Sequence, residues 1–464
     1  MKKENNISRR SFLKNSALVG ALGALGTGTT ASVLTSCTPQ SGESASIPLK
    51  EPGSYYVPEL PDMAADGKKL NAAVIGCGGR GSGATFNFLE AANGVNIICL
   101  ADVFKEKVDI LAKKLKDEKN IEIPADKRYV GFDAYKKAID TPGVDLVIVA
   151  TPPLFRPIHF QYATEKNKHS FLEKPIFVDA IGYRIIMATA KQAEAKGLKC
   201  VTGTQRHHQR SYVESYKQIM NGMIGEITGG NVYWNGGMLW YRERQKNWSD
   251  CEWMIKDWVN WKWLSGDHIV EQHVHNIDVF TWFSGLKPVK AVGFGSRQRR
   301  RTGDQFDNFS IDFTMENGIH VHSMCRQIHG CSNNVSEFIQ GQKGSWDSNT
   351  MEIKDLAGNV IWKFDKEAEK KDYKQTNPYV LEHVNFIASI RKNKPIMCAS
   401  QTAVANMAAV MGRESAYTGL ETNWDEMTAS SLDYTPTDLN MGKMDMSNFV
   451  VAVPGKESDK KSRN

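Results

Sequence analysis

The chain has 464 residues, too many for one ordinary core, and a scale of roughly 150 residues per domain points to two domains plus appendages. A composition of 41% hydrophobic and 24% charged residues excludes wholesale disorder, and a formal charge of +6, inflated by the two ends, carries no nucleic-acid footprint. Eight scattered cysteines without a C-x-x-C pair argue for free thiols, mostly buried, rather than a disulfide framework.

Residues 1–37 start basic, carry Arg9-Arg10 within S-R-R-S-F-L-K, continue in a weakly apolar Ala/Gly/Leu run and end in Leu34-Thr35-Ser36-Cys37. This resembles a twin-arginine export signal closed by a bacterial lipoprotein box, with Cys37 as the lipidated first residue of the mature chain. The run is too poor in large residues for a membrane helix, and no later segment reaches the ~18 apolar residues a span needs. The expectation is passage through the twin-arginine machinery and a body held on the periplasmic side of a membrane by acyl chains. Residues 38–69, rich in Ser, Pro and Gly without hydrophobic period, read as a flexible tether.

From residue 70 the pattern changes. Apolar runs at 71–76, 95–102, 145–151, 169–175 and 198–204 alternate with helix-like segments such as 103–119 and 181–196. Such alternation predicts a doubly wound parallel sheet over residues 70–204. Residues 205–420 read differently: helical segments at 211–222 and 269–285, then period-two runs with Asn317-Gly318 as a hairpin signal, then helices at 379–392 and 401–418. That predicts an α+β domain with an open, largely antiparallel sheet and helices on one side. Residues 421–464 form a C-terminal extension, frayed after about Lys456.

The first strand runs into Gly76-Cys77-Gly78-Gly79-Arg80-Gly81, a G-x-G-x-x-G sequence followed by a helix. Alone the pattern is weak; after a strand, and with Asp102 ending the next strand about 20 residues on, it specifies a dinucleotide site. Gly76 allows the tight turn, Gly78 the approach of a pyrophosphate, and Gly81 close helix packing. Gly79, Arg80, Thr151, Pro152, Glu173 and Lys174 complete the candidate cofactor set. Asp102 would repel a 2′-phosphate, so NAD is the expected cofactor, with nearby Lys105 keeping NADP as the alternative.

Lys174, in Phe171-Leu172-Glu173-Lys174-Pro175, follows a strand whose C-terminal end faces the ligand crevice. In Asp267–Asp278, three histidines and three carboxylates occupy twelve positions. On a continuous helix His268, Glu271, His275, Asp278 and Trp282 share one face, with His273 pointing elsewhere. A zinc site of His268, Glu271 and His275 and a purely structural polar face stay open on spacing alone. The preferred reading is a carboxylate, Glu271, orienting an imidazole, His275, for proton transfer, with no metal.

These motifs, together with TQRHHQRSYVESYKQIMNGMIGEI, resemble the Gfo/Idh/MocA family (glucose–fructose oxidoreductase, inositol dehydrogenase, rhizopine catabolism) over about Asn71 to Gly419. The resemblance implies a Rossmann domain, a C-terminal domain whose open sheet builds a homo-oligomer, and hydride transfer from a sugar C–H while His275, supported by Glu271 and helped by Lys174, takes the hydroxyl proton. Two departures stand out: Glu271 replaces the family's usual Asp, moving the carboxylate by about 1.5 Å, and Gln205-Arg206-His207-His208 replaces a more Arg-rich sequence. Arg206, His207 and Asp278 are the candidate substrate contacts. Trp240 joins them from residues 233–263, where seven of eleven tryptophans lie, read as an insertion loop stacking on sugar faces. The basic run Arg297–Arg301 reads as a solvated hairpin end.

Because free NAD(H) is scarce outside the cytoplasm, export implies a tightly held cofactor recycled within each turnover. The function expected is oxidation of a hydroxyl of a sugar or glycoside. A glycosidase working through a transient 3-keto sugar is the alternative, and a catalytically silent carbohydrate-binding lipoprotein a further one.

Overall fold

The computed structural model describes residues 49–51, 53–437 and 439–456, so the signal and Cys37 lie outside the described residues. A parallel sheet comprises β1 (Leu70–Ile75), β2 (Val95–Asp102), β3 (Arg128–Val130), β4 (Leu146–Val149), β5 (His169–Leu172) and β6 (Cys200–Thr202), in the order β3-β2-β1-β4-β5-β6. Five of these are the predicted apolar runs. β3 escapes sequence reading because Arg-Tyr-Val carries no apolar run. Runs such as Leu-Val-Ile-Val in β4 are buried throughout because crossover helices cover both faces. The order reverses between β1 and β4, which opens a crevice at their C-terminal ends.

The second sheet holds β7 (Ile227–Gly236), β8 (Pro288–Ser296), β9 (Asn308–Met315), β10 (His320–Gln327), β11 (Asn334–Gly341), β12 (Gly344–Asp347), β13 (Glu352–Asp355), β14 (Val360–Lys363) and β15 (Thr422–Asn423). Every pairing is antiparallel except β7 with β10. Helices Val274–Ser284 and Cys398–Thr418 pack on one face. In β8 the alternation puts Ala291 against them, while Val292 and Phe294 point away and are exposed.

Two boundaries differ from the sequence reading. Residues 53–69 are tied to the body: Ala64 N–H donates to Ala91 O, Arg210 donates to Leu60 O and Arg391 to Ala65 O. Short polar segments satisfy their backbone groups on a folded neighbour, which composition does not reveal. Helix Pro378–Arg391, assigned by sequence to the second domain, buries Val380, Leu381, Val384 and Ile387 in one core with Leu70, Val74, Phe88 and Phe171 of the first. The extension after Gly419 is likewise docked, with Tyr434 N–H on Asp179 and Met444 N–H on Asp250.

The basic run between β8 and β9 is solvated at Gln298, Arg299 and Arg301 but anchored through its other two arginines. Arg297 donates to the carbonyls of Gly303 and Gln305, and buried Arg300 to Phe306 O and Gln327.

Candidate active site

The glycine loop between β1 and helix Gly79–Glu90 shows why glycines stand where they do. Gly76 has φ +94°, and a Cβ there would lie 2.7 Å from Ala150 C. A Cβ on Gly81 would come within 1.8 Å of Gly76 O, so the helix can approach β1 only without one. At Gly78 and Gly79 an added Cβ meets nothing, leaving open space over the loop at a helix N-terminus. The Asp102 carboxylate caps this loop, accepting from Cys77 N–H (2.7 Å) and Phe104 N–H (3.0 Å), and burial pushes its pKa up from the ordinary value.

A cleft of about 520 Å³ opens here, lined by Gly76, Gly78, Gly79, Arg80, Asp102, Thr151 and Pro152. These residues fit a dinucleotide: space over the glycines for a pyrophosphate and a carboxylate for a ribose diol. Lys107 lines the cleft, whereas Lys105 is turned away in an ion pair with Asp109. Glu173 and Lys174 are absent from its lining. The buried Glu173 carboxylate instead accepts from Arg80 Nε (2.5 Å), which ties the cleft to the strand end that carries Lys174. Trp240, a candidate sugar contact from the sequence, lines this same cleft.

The expected continuous helix is broken. Residues His268–Glu271 form one turn, Gln272 and His273 interrupt it, and the helix resumes at Val274. The face inferred from 3.6-residue spacing is therefore divided. Buried His268 turns to Asp267 (2.9 Å) and Arg300 (3.3 Å), away from the predicted set. His273 reaches Ser323 (2.7 Å), elsewhere as expected. Glu271 does not orient His275; its carboxylate meets Lys174 Nζ at 3.2 Å and Gln272, while Lys174 Nζ also donates to Glu271 O at 2.5 Å. The acidic residue thus positions the lysine.

The imidazole of His275 lies nearly parallel to the Trp234 indole (centroids 5.8 Å apart, planes at 23°) and makes no protein hydrogen bond among the described residues. Burial lowers its pKa well below the usual histidine value, and the charges of Lys174, Arg206, His207 and Arg80 lower it further. The ring is neutral at pH 7, a base with a free lone pair.

Arg206 lies over the Trp234 ring but pairs with buried Glu337, which also accepts from Asn276 (2.6 Å) and Tyr212 (3.0 Å). Its contribution to the site is positive field more than a free donor fork. His207 Nε2 and Asp278 Oδ2 are 2.7 Å apart, and His207 stacks on Trp282 (4.0 Å) beside a second cavity of about 400 Å³. Sequence reasoning grouped Trp234 with the tryptophans of residues 233–263 without placing it against His275, and it missed Arg156. Buried Arg156 donates to Thr151 O (2.7 Å), Glu173 O (2.7 Å) and Pro175 O (2.5 Å), locking the ends of β4 and β5 together. Among the described residues no group of three or more His, Cys, Asp or Glu side chains is placed to hold a metal, and the described cysteines are free.

Fold and site together define a dinucleotide-dependent oxidoreductase class. The family described as oxidoreductase family, NAD-binding Rossmann fold (GFO_IDH_MocA) matches residues 70–202, and its C-terminal alpha/beta domain matches residues 216–419. The chain belongs to this family, and its N-terminal domain is an NAD-binding Rossmann domain.

Relatives include the scyllo-inositol 2-dehydrogenase (NAD(+)) of Bacillus subtilis, 23% identical over 49% of this chain and 57% of that protein. A glycosyl hydrolase family 109 protein of Streptomyces coelicolor is 26% identical over 50% and 45%. The similarity thus spans about half the length of these curated relatives. Among solved structures, scyllo-inositol dehydrogenase from Lactobacillus casei with bound NAD(H) and scyllo-inositol superposes with a TM-score of 0.58 at 18% identity, covering 78% of this chain and all of that one. GenD2 from gentamicin A biosynthesis in complex with NAD gives 0.59 at 15%, covering 79% and 99%. These likenesses share the fold.

Proposed function

We propose that the protein oxidises a hydroxyl of a sugar, polyol or glycoside. The observation that carries this reading is a neutral, unpartnered His275 in a site with a Glu271-paired Lys174, beside the dinucleotide cleft. When bound, NAD supplies the acceptor for the hydride lost from the carbon. His275 takes the hydroxyl proton, and the Lys174 ammonium, held by Glu271, stabilises the oxygen on which charge develops. Trp234 and Arg156 fix the positions of His275 and the Lys174 loop respectively.

We also propose export, lipidation at Cys37 and a cofactor that stays bound and is restored in each turnover. The relatives described as glycosyl hydrolase family 109 support a second reading. Oxidation at one sugar carbon acidifies the neighbouring C–H, the glycosidic group leaves by elimination, water adds, and the ketone is reduced again. A homo-oligomer through the open sheet face is supported by Phe294, 73% exposed there.

The test is to denature purified protein, identify any released nucleotide, and add a panel of sugars, inositols and glycosides to intact holoprotein while following the nicotinamide band and the products. Reduction of bound NAD without cleavage supports the oxidoreductase. Cleavage without net NADH supports the glycosidase. Glycan binding with no nucleotide, even when NAD or NADP is supplied, overturns both in favour of a binding protein.

A further inference from the structure

Residues 237–265 leave the end of β7, in the second sheet, yet Trp240, Arg242, Trp248, Ile255, Lys256 and Trp258 wall the dinucleotide cleft on the first. Residues 237–249 form no helix or strand, but the segment as a whole is built into the body. It contains helices Asp250–Lys256 and Lys262–Ser265, and its Cys251, Met254, Trp261 and Trp263 share a core with Leu154, Phe155 and Met444. Its inner face is tied by the buried Asp257 carboxylate, which accepts from Arg242 N–H (2.7 Å) and Asn260 Nδ2 (2.8 Å), and by Trp253 Nε1 donating to Arg242 O (2.7 Å). The C-terminal extension braces the outside through Cys251 N–H on Gly442 O and Ser249 Oγ on Met441 O (2.7 Å).

Beyond this apolar core, an ion pair fastens the wall to the rim that follows Asp102. Lys256 Nζ lies 2.9 Å from Glu106 Oε1 and 4.4 Å from the centroid of Phe104, with Trp248 at 5.1 Å. Phe104 and Glu106 follow Asp102, the residue placed for the ribose of the adenosine half. Indoles and cations together match a purine ring joined to phosphate.

We propose that residues 237–265 form a clamp over the adenosine end of the cleft, closed by the Lys256–Glu106 latch, which makes the bound dinucleotide slow to exchange. The inference rests on the cleft being the NAD site. A dinucleotide can leave only after the latch and the rim contacts of Phe104 separate, so retention is built from residues of this insertion rather than from the glycine loop.

The test uses intact protein loaded with NADH and chased with excess NAD, the loss of indole-to-nicotinamide energy transfer giving the release rate. Trp240→Ala and Glu106→Gln change partly exposed side chains (45% for the Trp240 residue, 50% for the Glu106 side chain), and unchanged Tm values verify folding. Release is expected to be about tenfold faster for Trp240→Ala and about threefold faster for Glu106→Gln. Association is expected to change less than release, and added salt to speed release from the wild type but not from Glu106→Gln. Release of NADH from both variants at the wild-type rate overturns the clamp while leaving the cofactor site intact. Failure of the wild type to bind NADH overturns the cofactor reading and the clamp with it.

Discussion

His275 sits in a site where four cationic or protonatable neighbours, Lys174, Arg206, His207 and Arg80, all disfavour its protonation, on top of the larger cost of burial. Its proton affinity is therefore set by surroundings drawn from three different segments. The consequence for activity has a definite sign. A base with a lowered pKa stays competent as pH falls, so kcat/KM is expected to hold through the ordinary histidine range, with its acid limb well below about 6.5. A pH profile whose midpoint stands at or above that value would contradict the placement. His275→Asn is expected to lower kcat by about 10² to 10⁴-fold while leaving NADH affinity within a factor of about two. At this scale Lys174 and His275 were legible as residue types in motifs. The partnership of Glu271 with Lys174 was not, because spacing of four presumes a helix that Gln272 and His273 interrupt.

Between β1 and its helix, two glycines of one motif do different work, and substitution separates them. Gly81→Ala puts a methyl group 1.8 Å from Gly76 O, a backbone atom that cannot swing aside. It is expected to cost about 1–3 kcal/mol of stability, read as a fall in Tm. Gly78→Ala meets no protein atom, so its Tm is expected to stay at the wild-type value while NADH affinity falls as the methyl occupies the space for the pyrophosphate. Equal Tm losses in the two variants would remove the distinction. The strands of the first sheet were readable because double burial leaves continuous apolar runs. The helices within the tryptophan-rich insertion escaped sequence reading because they, such as Lys262–Ser265, are only a turn or two long, too short for periodicity to register.

Taken as a whole, the molecule buries several neutral imidazoles. Burial pushes His159, His208 and His273 each down to about 3, and His275 and His383 are also held well below the ordinary value. Their folded forms stay unprotonated while the unfolded chain binds protons below about pH 6.5, so stability falls as pH falls from there toward 3. Each such histidine contributes about 1.4 kcal/mol per pH unit in that window. Thermal unfolding followed from pH 8 to 5 is expected to show a Tm that declines steeply below about 6.5. A Tm that stays flat from pH 7 to 5 would mean these rings gain protons without unfolding.

The amino-acid sequence by itself determined the two-domain α/β architecture, the NAD-binding loop and the strand end that carries Lys174. Those features follow from local rules: apolar period, glycine at constrained turns, and the position of a residue at a strand terminus. What only the tertiary structure decided is which groups meet. Glu271 serves Lys174, Trp240 walls the cleft over the glycine loop, helix Pro378–Arg391 covers the first domain, and residues 53–69 are packed instead of free. The physical reason is common to all four. A side chain's partner depends on a helix break, an insertion's fold or a docking surface distant in the chain, and none of these leaves a periodic signal in the residues that it brings together.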